Sequence, residues 1–396
     1  MGSSMSTTAP SSESLPDDAL AEILLRVPPH PNCLARASLA GKGPRRVTTS
    51  PEFLRAFRKR HNSAPPPLLG FFHDDGDLPS NFLPVGDSPN RVSAAAFDHM
   101  DEEPGWRVVD SRHGRVLLRS PDRLRFLVWE PMAGRRSYVD APPPDHADHY
   151  KFSSAALVCT AAHEEEEEGR HHIDCHDCPL SVLFVVTPGR AGTTVVYLCS
   201  PEQGVPWEEV ASGDFSPLTV TERPVDLQRN VVYWTMAGAM GIQEGILAFE
   251  LESHRLYQIG QPPYIFDAEH EHVQVMEEEG SRLGLVVACG LTLQLWVLLE
   301  YNGEGTERWE MQGEIYLDDE LFPGEPMFED YYMLWILGMD SSNIFLRTEV
   351  GIFEVDLLTE QSKRLWDGHE IEALYPYRSF YRQGIIQEDI LAPVLG

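Results

Sequence analysis

Long hydrophobic runs are missing from this chain of 396 residues. The most apolar stretch, Leu283 to Leu299, is interrupted by two glycines, a threonine and a glutamine and is shorter than the roughly 20 apolar residues that a membrane span needs. We interpret it as two adjacent buried strands. Residues 1–14 are rich in Ser and Thr and lack the apolar segment of a secretory signal, so we expect a disordered tail there.

Basic residues are scarce, with 31 Lys and Arg against 62 Asp and Glu and a formal net charge of -31. The charge is unevenly spread, because residues 15–64 carry a net charge of +5 and residues 65–396 a net charge of -35. A body this acidic repels phosphate backbones and anionic lipid, so we expect neither nucleic acid nor membrane as a partner. The hydrophobic content of 42% still predicts a folded chain with a sizeable core.

Cysteines and catalytic motifs are also sparse. Six cysteines in a chain without a secretory signal predict reduced thiols and a cytoplasmic or nuclear location. The chain has no G-x-S-x-G elbow, no phosphate-binding G-x-x-x-x-G-K-[ST] loop, no H-E-x-x-H and no dinucleotide glycine fingerprint. We therefore expect a protein that is not an enzyme and has no cofactor.

Three short helices are predicted near the start of the chain. Residues 15–26 carry two acids in the first helical turn and an apolar face, and two prolines at 28 and 29 end this helix. A second helix is predicted over Asn32–Ala40, and a third begins at Ser50 and carries Phe53 and Phe57. About fifty residues of helix bury too little surface to be self-sufficient, so this segment is expected to dock onto something else.

The three segments L-P-D-D-A-L-A-E-I-L-L-R-V-P, L-A-R-A-S-L-A-G-K and S-P-E-F-L-R-A-F resemble an F-box, the adaptor-binding module of SCF-type ubiquitin ligases. The resemblance implies a Skp-type adaptor as partner and, through it, a cullin scaffold. It also implies a substrate-receptor role, in which the rest of the chain captures an unknown target protein. The implied adaptor contacts are Leu15, Pro16, Leu20, Ile23, Leu24, Leu34, Ala37, Leu39 and Val47.

One departure from the F-box pattern lies after the second helix. The family usually has a cysteine, a lysine and then a tryptophan that anchors the third helix, whereas this chain has Gly41-Lys42-Gly43-Pro44-Arg45-Arg46. Gly43 and Pro44 are expected to break a helix, and a buried aromatic is lost, so adaptor affinity would fall. Two alternatives stay open: a propeller-like binding protein without ligase assembly, and an ordinary helical hairpin that caps a larger domain.

From Leu68 onward the chain consists of short β-type segments punctuated by Gly, Pro, Asp and Asn. Similar strand–turn units recur, and spacings of 68, 52, 47 and 57 residues separate their aromatic markers. Spacings near fifty are typical of propeller blades. A weaker first unit at Leu68–Phe72 and Arg91–Phe97 brings the prediction to about six blades, with a two-sheet β-sandwich as the alternative. The five markers are Trp129, Tyr197, Phe249, Trp296 and Phe353.

An apolar strand precedes each marker, and a charged strand follows several of them, as a radial blade requires. The phrases G-R-V-L-L and F-L-V-W-E-P resemble the β-rich F-box-associated region of plant, especially grass, F-box proteins. A ring must join its ends, because an open blade edge exposes unpaired backbone groups. We expect a late strand near Ile371–Phe380 to pair with Leu68–Phe72. The predicted organisation is a tail over 1–14, a helical module over 15–62, a linker over 63–67 and a β-domain over 68–396.

An insertion over residues 161–179 accounts for the widest spacing, and its acidic run Glu164–Glu168 predicts a solvated loop. The same loop holds Cys175 and Cys178 in a C-x-x-C spacing with His171 and His172 nearby, a set that is able to supply four zinc ligands. Structural zinc sites draw their ligand pairs from separated turns, whereas these four residues share one charged loop. We therefore expect no metal here, with zinc as the alternative.

Overall fold

The computed structural model describes residues 15–61, 66–74, 81–86, 91–92, 94–97, 105–142, 152–159, 180–187, 192–222, 226–228, 230–238, 242–263, 272–278, 282–301, 307–317, 321, 334–367 and 371–379. The predicted tail over 1–14 lies outside the described residues. So does the insertion over 161–179, with its candidate zinc ligands Cys175, Cys178, His171 and His172.

Four helices, one more than expected, open the described chain: α1 (Asp17–Leu24), α2 (Pro31–Leu39), α3 (Lys42–Thr48) and α4 (Pro51–His61). The additional helix is α3, so the expected break at Gly43 and Pro44 is wrong. Pro44 lies in the first turn of α3, where a backbone N–H has no partner within the helix and its loss costs little. The N-cap expected at Asn32 is also wrong, because His30 is the N-cap and Pro31 opens α2.

The strands form six antiparallel sheets, and the first three are built as follows. Sheet 1 contains β1 (Leu68–Asp74) and β2 (Asn81–Pro84), joined by the last strand of the chain. Sheet 2 contains β3 (Arg107–Arg112), β4 (Arg115–Arg119), β5 (Arg125–Glu130) and β6 (Arg135–Asp140). Sheet 3 contains β7 (Phe152–Cys159), β8 (Leu180–Thr187), β9 (Thr194–Ser200) and β10 (Val205–Gly213).

The remaining sheets repeat this pattern. Sheet 4 contains β11 (Thr219–Val220), β12 (Asp226–Gln228), β13 (Val231–Ala237), β14 (Gln243–Glu250) and β15 (Arg255–Gly260). Sheet 5 contains β16 (Val273–Glu278), β17 (Arg282–Cys289), β18 (Thr292–Tyr301) and β19 (Glu307–Tyr316). Sheet 6 contains β20 (Trp335–Asp340), β21 (Asn343–Thr348), β22 (Gly351–Asp356) and β23 (Gln361–Trp366), and β24 (Ala373–Arg378) returns to sheet 1.

The six sheets are the blades of a β-propeller. Their innermost strands lie side by side around a ring in the order β24, β3, β7, β11 with β12, β16, β20. The two short strands β11 and β12 together take the innermost position of sheet 4, and β20 contacts β24 again, which completes the ring. Each of six buried apolar clusters joins two neighbouring sheets, including sheets 6 and 1. The expected six blades are therefore confirmed, and the alternative of a two-sheet sandwich is wrong.

Sheet 1 closes the ring with strands from both ends of the propeller. β1 pairs antiparallel with β24, with Leu68 opposite Arg378 and Asp74 opposite Ala373, which confirms the expected closure. The expected strand at Arg91–Phe97 is wrong, because Ala94–Phe97 forms a 3₁₀ turn. A run of three alanines offers no β-branched side chain for a pleated surface, whereas alanine favours helical conformations.

Polar contacts tie β24 to both of its neighbours in the ring. Arg378 forms a two-pronged ion pair with Asp340 at the end of β20, with Nε to Oδ1 at 3.0 Å and Nη2 to Oδ2 at 2.6 Å. On the other side, the Tyr377 hydroxyl donates to the carbonyl of Gly114 at 3.1 Å. Arg378 Nη1 also donates to the carbonyl of Pro66 at 2.8 Å, so this side chain joins the last strand to the segment that leads into the first one.

We predict that Asp340→Ala lowers the free energy of unfolding of the propeller by about 2 kcal/mol, because it leaves a largely buried guanidinium without its carboxylate. Urea denaturation followed by tryptophan fluorescence measures this loss. Asp367→Ala is the matched control, since Asp367 pairs with Arg364 at 3.0 Å with an almost fully exposed side chain and should contribute nothing measurable. Equal losses in the two variants would contradict the role of Asp340 in closure.

Candidate functional site

The four helices pack around an apolar cluster of their own. Every helix contributes to it, and its buried members are Leu24, Leu34, Val47, Phe53 and Phe57. The half-buried apolar side chains packed against this cluster also come from residues 20–54. We call residues 15–61 the helical module; its apolar cluster is separate from the six clusters between the blades.

Polar contacts hold the helices of this module in register. Arg46 of α3 pairs with Asp17 of α1, with Nε to Oδ2 at 2.8 Å, and this guanidinium lowers the pKa of the Asp17 carboxyl. Because the pKa of Asp17 is lower in the folded chain than in the unfolded chain, the ion pair stabilises the fold at any pH above the unfolded pKa. This stabilisation is lost as the pH falls through the lower pKa of the folded chain. At the other end of α1, the His61 ring contacts the carbonyl of Leu25 at 3.2 Å and packs on Phe57.

Gly43 allows α1 and α3 to approach closely. A Cβ atom at this position would lie 3.1 Å from Cδ1 of Leu20, which is tighter than ordinary van der Waals contact. The residue that departs from the F-box pattern is thus part of the packing between two helices. The sequence signal alone indicated only a helix breaker.

The structure divides the nine expected contact residues into an exposed set and a buried set. Three large apolar side chains lie open on the surface, Leu15 at 53%, Ile23 at 52% and Leu39 at 57% exposure. Pro16 is also exposed, and Leu20 and Ala37 are half-buried. Leu24, Leu34 and Val47 lie inside the module's own cluster, where they hold the helices together.

The propeller contains a charged cluster that sequence reasoning missed. Arg119 at the end of β4 pairs with Glu222 beyond β11 at 3.1 Å and lies 3.4 Å from the Ser153 hydroxyl of β7, so one side chain links three blades. Arg123 contacts the same carboxylate. Burial lowers the pKa of Arg119, although the nearby Glu222 charge opposes this shift. No local pattern marked this cluster, because Ser153 and Glu222 are 34 and 103 positions from Arg119 in sequence.

Among the described residues, no group of three or more His, Cys, Asp or Glu side chains is arranged to hold a metal ion. Burial raises the pKa of the Cys199 thiol to about 12, so this cysteine is neither a thiolate nor a nucleophile at neutral pH. No helix in the described part of the chain is long and apolar enough to cross a bilayer.

No protein-family model and no curated protein matches this chain. Solved structures similar to it include the extracellular domain of a one-component system from B. thetaiotaomicron, with 9% identity and a TM-score of 0.34 over 76% of this chain and 37% of that one. The WD40 domain of SCAP from fission yeast has 9% identity and a TM-score of 0.35, over 65% of this chain and 52% of that one. Regucalcin from Agrobacterium tumefaciens has 11% identity and a TM-score of 0.37, over 83% of this chain and 90% of that one.

This chain therefore spans 37% and 52% of the lengths of the first two of these proteins. Likenesses at such TM-scores carry no argument about function. The assignment of a propeller depends instead on the six sheets and their ring of contacts.

We predict that Gly43→Val loosens the docking of α1 on α3, at a cost of about 1–3 kcal/mol, because the added methyl groups overlap the side chain of Leu20. Hydrogen exchange read by mass spectrometry should show faster exchange in peptides that cover α1. Ala40→Val is the control, since it introduces the same side chain at an exposed position. Unchanged exchange in Gly43→Val would show that the close approach is not needed.

Proposed function

We propose that this chain is the substrate-receptor subunit of an SCF-type ubiquitin ligase. In this proposal the helical module binds a Skp-type adaptor, the adaptor connects it to a cullin scaffold, and the propeller captures a target protein. The chain itself performs no chemistry and needs no cofactor. It acts by raising the effective concentration of the target beside the ligase.

The observation that carries this proposal is the exposure of Leu15, Ile23 and Leu39 on a module that already has its own core. Ile23 is followed by the buried Leu24, so α1 presents apolar side chains in two directions, inward to the cluster and outward to solvent. A surface helix of a self-contained protein normally turns only one apolar face, and that face is buried. Exposed apolar side chains such as Leu15, Ile23 and Leu39 are what an adaptor-binding module requires, and they lie in the segments that resemble an F-box.

The continuity of α3 also supports the proposal. A break in the module at Gly43 and Pro44, after the second helix, would weaken adaptor binding. Both residues instead lie in the first turn of α3, and Val47 of this helix contributes to the module's core. The departure from the family pattern is accommodated without loss of helical structure.

The propeller is suited to the capture of a target protein, which is the second part of the proposed role. Its blades present the connections between strands at two faces, and such connections vary in sequence without disturbing the sheets that hold them. The last described residue of the module is His61, and the first described residue of the propeller is Pro66, which Arg378 contacts. Only a few residues therefore separate the proposed adaptor surface from the proposed target-binding body.

We predict that Leu15→Asp combined with Ile23→Asp reduces affinity for a purified Skp-type adaptor at least about 100-fold, since two exposed apolar contacts become charges that must be desolvated. Isothermal titration calorimetry with the full chain measures the loss. Leu358→Asp is the matched control, because Leu358 is an exposed leucine of the propeller, in the turn after β22. It should bind as the wild type does.

Absence of adaptor binding by the wild-type chain would contradict the proposal and favour a propeller-type binding protein without ligase assembly. Equal binding by the double variant and the Leu358→Asp control would place the adaptor contact elsewhere. Circular dichroism of the double variant checks that the helices persist, as expected for substitutions at exposed positions.

A further inference from the structure

The end of α2 and the start of α3 carry a run of exposed side chains. Arg36 and Leu39 are three residues apart on α2 and lie on one face of that helix, and Lys42 and Arg45 stand in the same relation on α3. All four side chains are exposed, and the two residues between the helices, Ala40 and Gly41, are exposed as well. We call Arg36, Leu39, Lys42 and Arg45 the basic ridge.

The basic ridge contains one apolar side chain, Leu39, among three basic side chains. Residues 31–51 contain four basic residues and no acidic residue. Arg46 is engaged by Asp17 of α1. Within the described part of the chain, no ion pair or side-chain hydrogen bond occupies Arg36, Lys42 or Arg45.

The charge of the ridge is opposite to that of the propeller. Residues 65–396 carry a net charge of -35, whereas the helical module, with the basic ridge on α2 and α3 and further basic residues on α4, is net positive. Solubility does not require them, because the net charge is already far from zero. Basic residues around an apolar contact are instead suited to a partner surface of opposite charge.

We infer that the basic ridge docks onto an acidic face of the adaptor, in which carboxylates surround an apolar site for Leu39. This inference rests on the proposed function and adds the chemistry of the partner surface. Burial of Leu39 supplies affinity, whereas the exposed Arg36, Lys42 and Arg45 mainly accelerate association, because rim charges steer the encounter and are screened by salt. The acidic propeller body repels the same partner face, which favours approach through the module.

The test is a measurement of association rates between the full chain and a purified Skp-type adaptor at about 0.05 M and about 1 M salt. Lys42→Glu combined with Arg45→Glu should slow association about tenfold at low salt, leave dissociation within about twofold, and approach the wild-type rate at high salt. Lys59→Glu combined with Arg60→Glu is the matched control. It makes the same change in net charge at exposed residues of a different helix, α4, and should slow association less than about threefold.

The outcomes separate this inference from the proposed function. Adaptor binding that is insensitive to salt, or equally slowed by the two charge-reversed variants, would overturn the acidic docking face and leave the receptor role intact. Absence of adaptor binding by the wild type would overturn both. Self-association of the wild type at low salt, lost in Lys42→Glu with Arg45→Glu, would show that the acidic occupant is the propeller of a second copy and would overturn the assignment to the adaptor.

Discussion

The pairing of β24 with β1 is the constraint on which the rest of the structure depends. Six blades each have an apolar face on both sides, and every such face is buried only when the ring is complete. The closing blade takes β24 from one end of the propeller and β1 from the other. Arg378 reinforces this closure, because it engages Asp340 of the preceding blade and the carbonyl of Pro66 at the same time.

Closure at this blade also bears on the helical module, because β1 follows the module directly. The module needs no contact with the propeller to bury its own cluster, and Arg378 holds the connecting segment at Pro66. The module therefore combines an independent core with exposed apolar side chains at Ile23 and Leu39, and it precedes the propeller in the chain. The two cores share no apolar cluster, so packing in the module and packing between the blades are separate.

Sequence reasoning located the second and third strands of the blades better than the innermost ones. The marker residues Trp129 and Phe249 lie on third strands, β5 and β14, which are buried on both faces and are therefore strongly apolar. The innermost strands carry small or polar residues, such as Ser153 on β7 and the buried Asp110 on β3. Asp110 is acceptable there because it accepts a hydrogen bond from the Leu157 amide of the next blade at 2.8 Å, a partner that no local pattern reveals.

The amino-acid sequence by itself determined the class of fold, the approximate number of blades, the closing pair of strands and the apolar character of α1, because periodicity and turn residues act locally. Only the tertiary structure decided which apolar residues are available to a partner. Leu24 and Ile23 are neighbours in sequence with similar side chains, yet one lies in the module's core and the other faces solvent. That difference arises from the packing of α1 on α3, where the absence of a side chain at Gly43 leaves room for Leu20. Burial of this kind depends on contacts between segments that are distant in sequence.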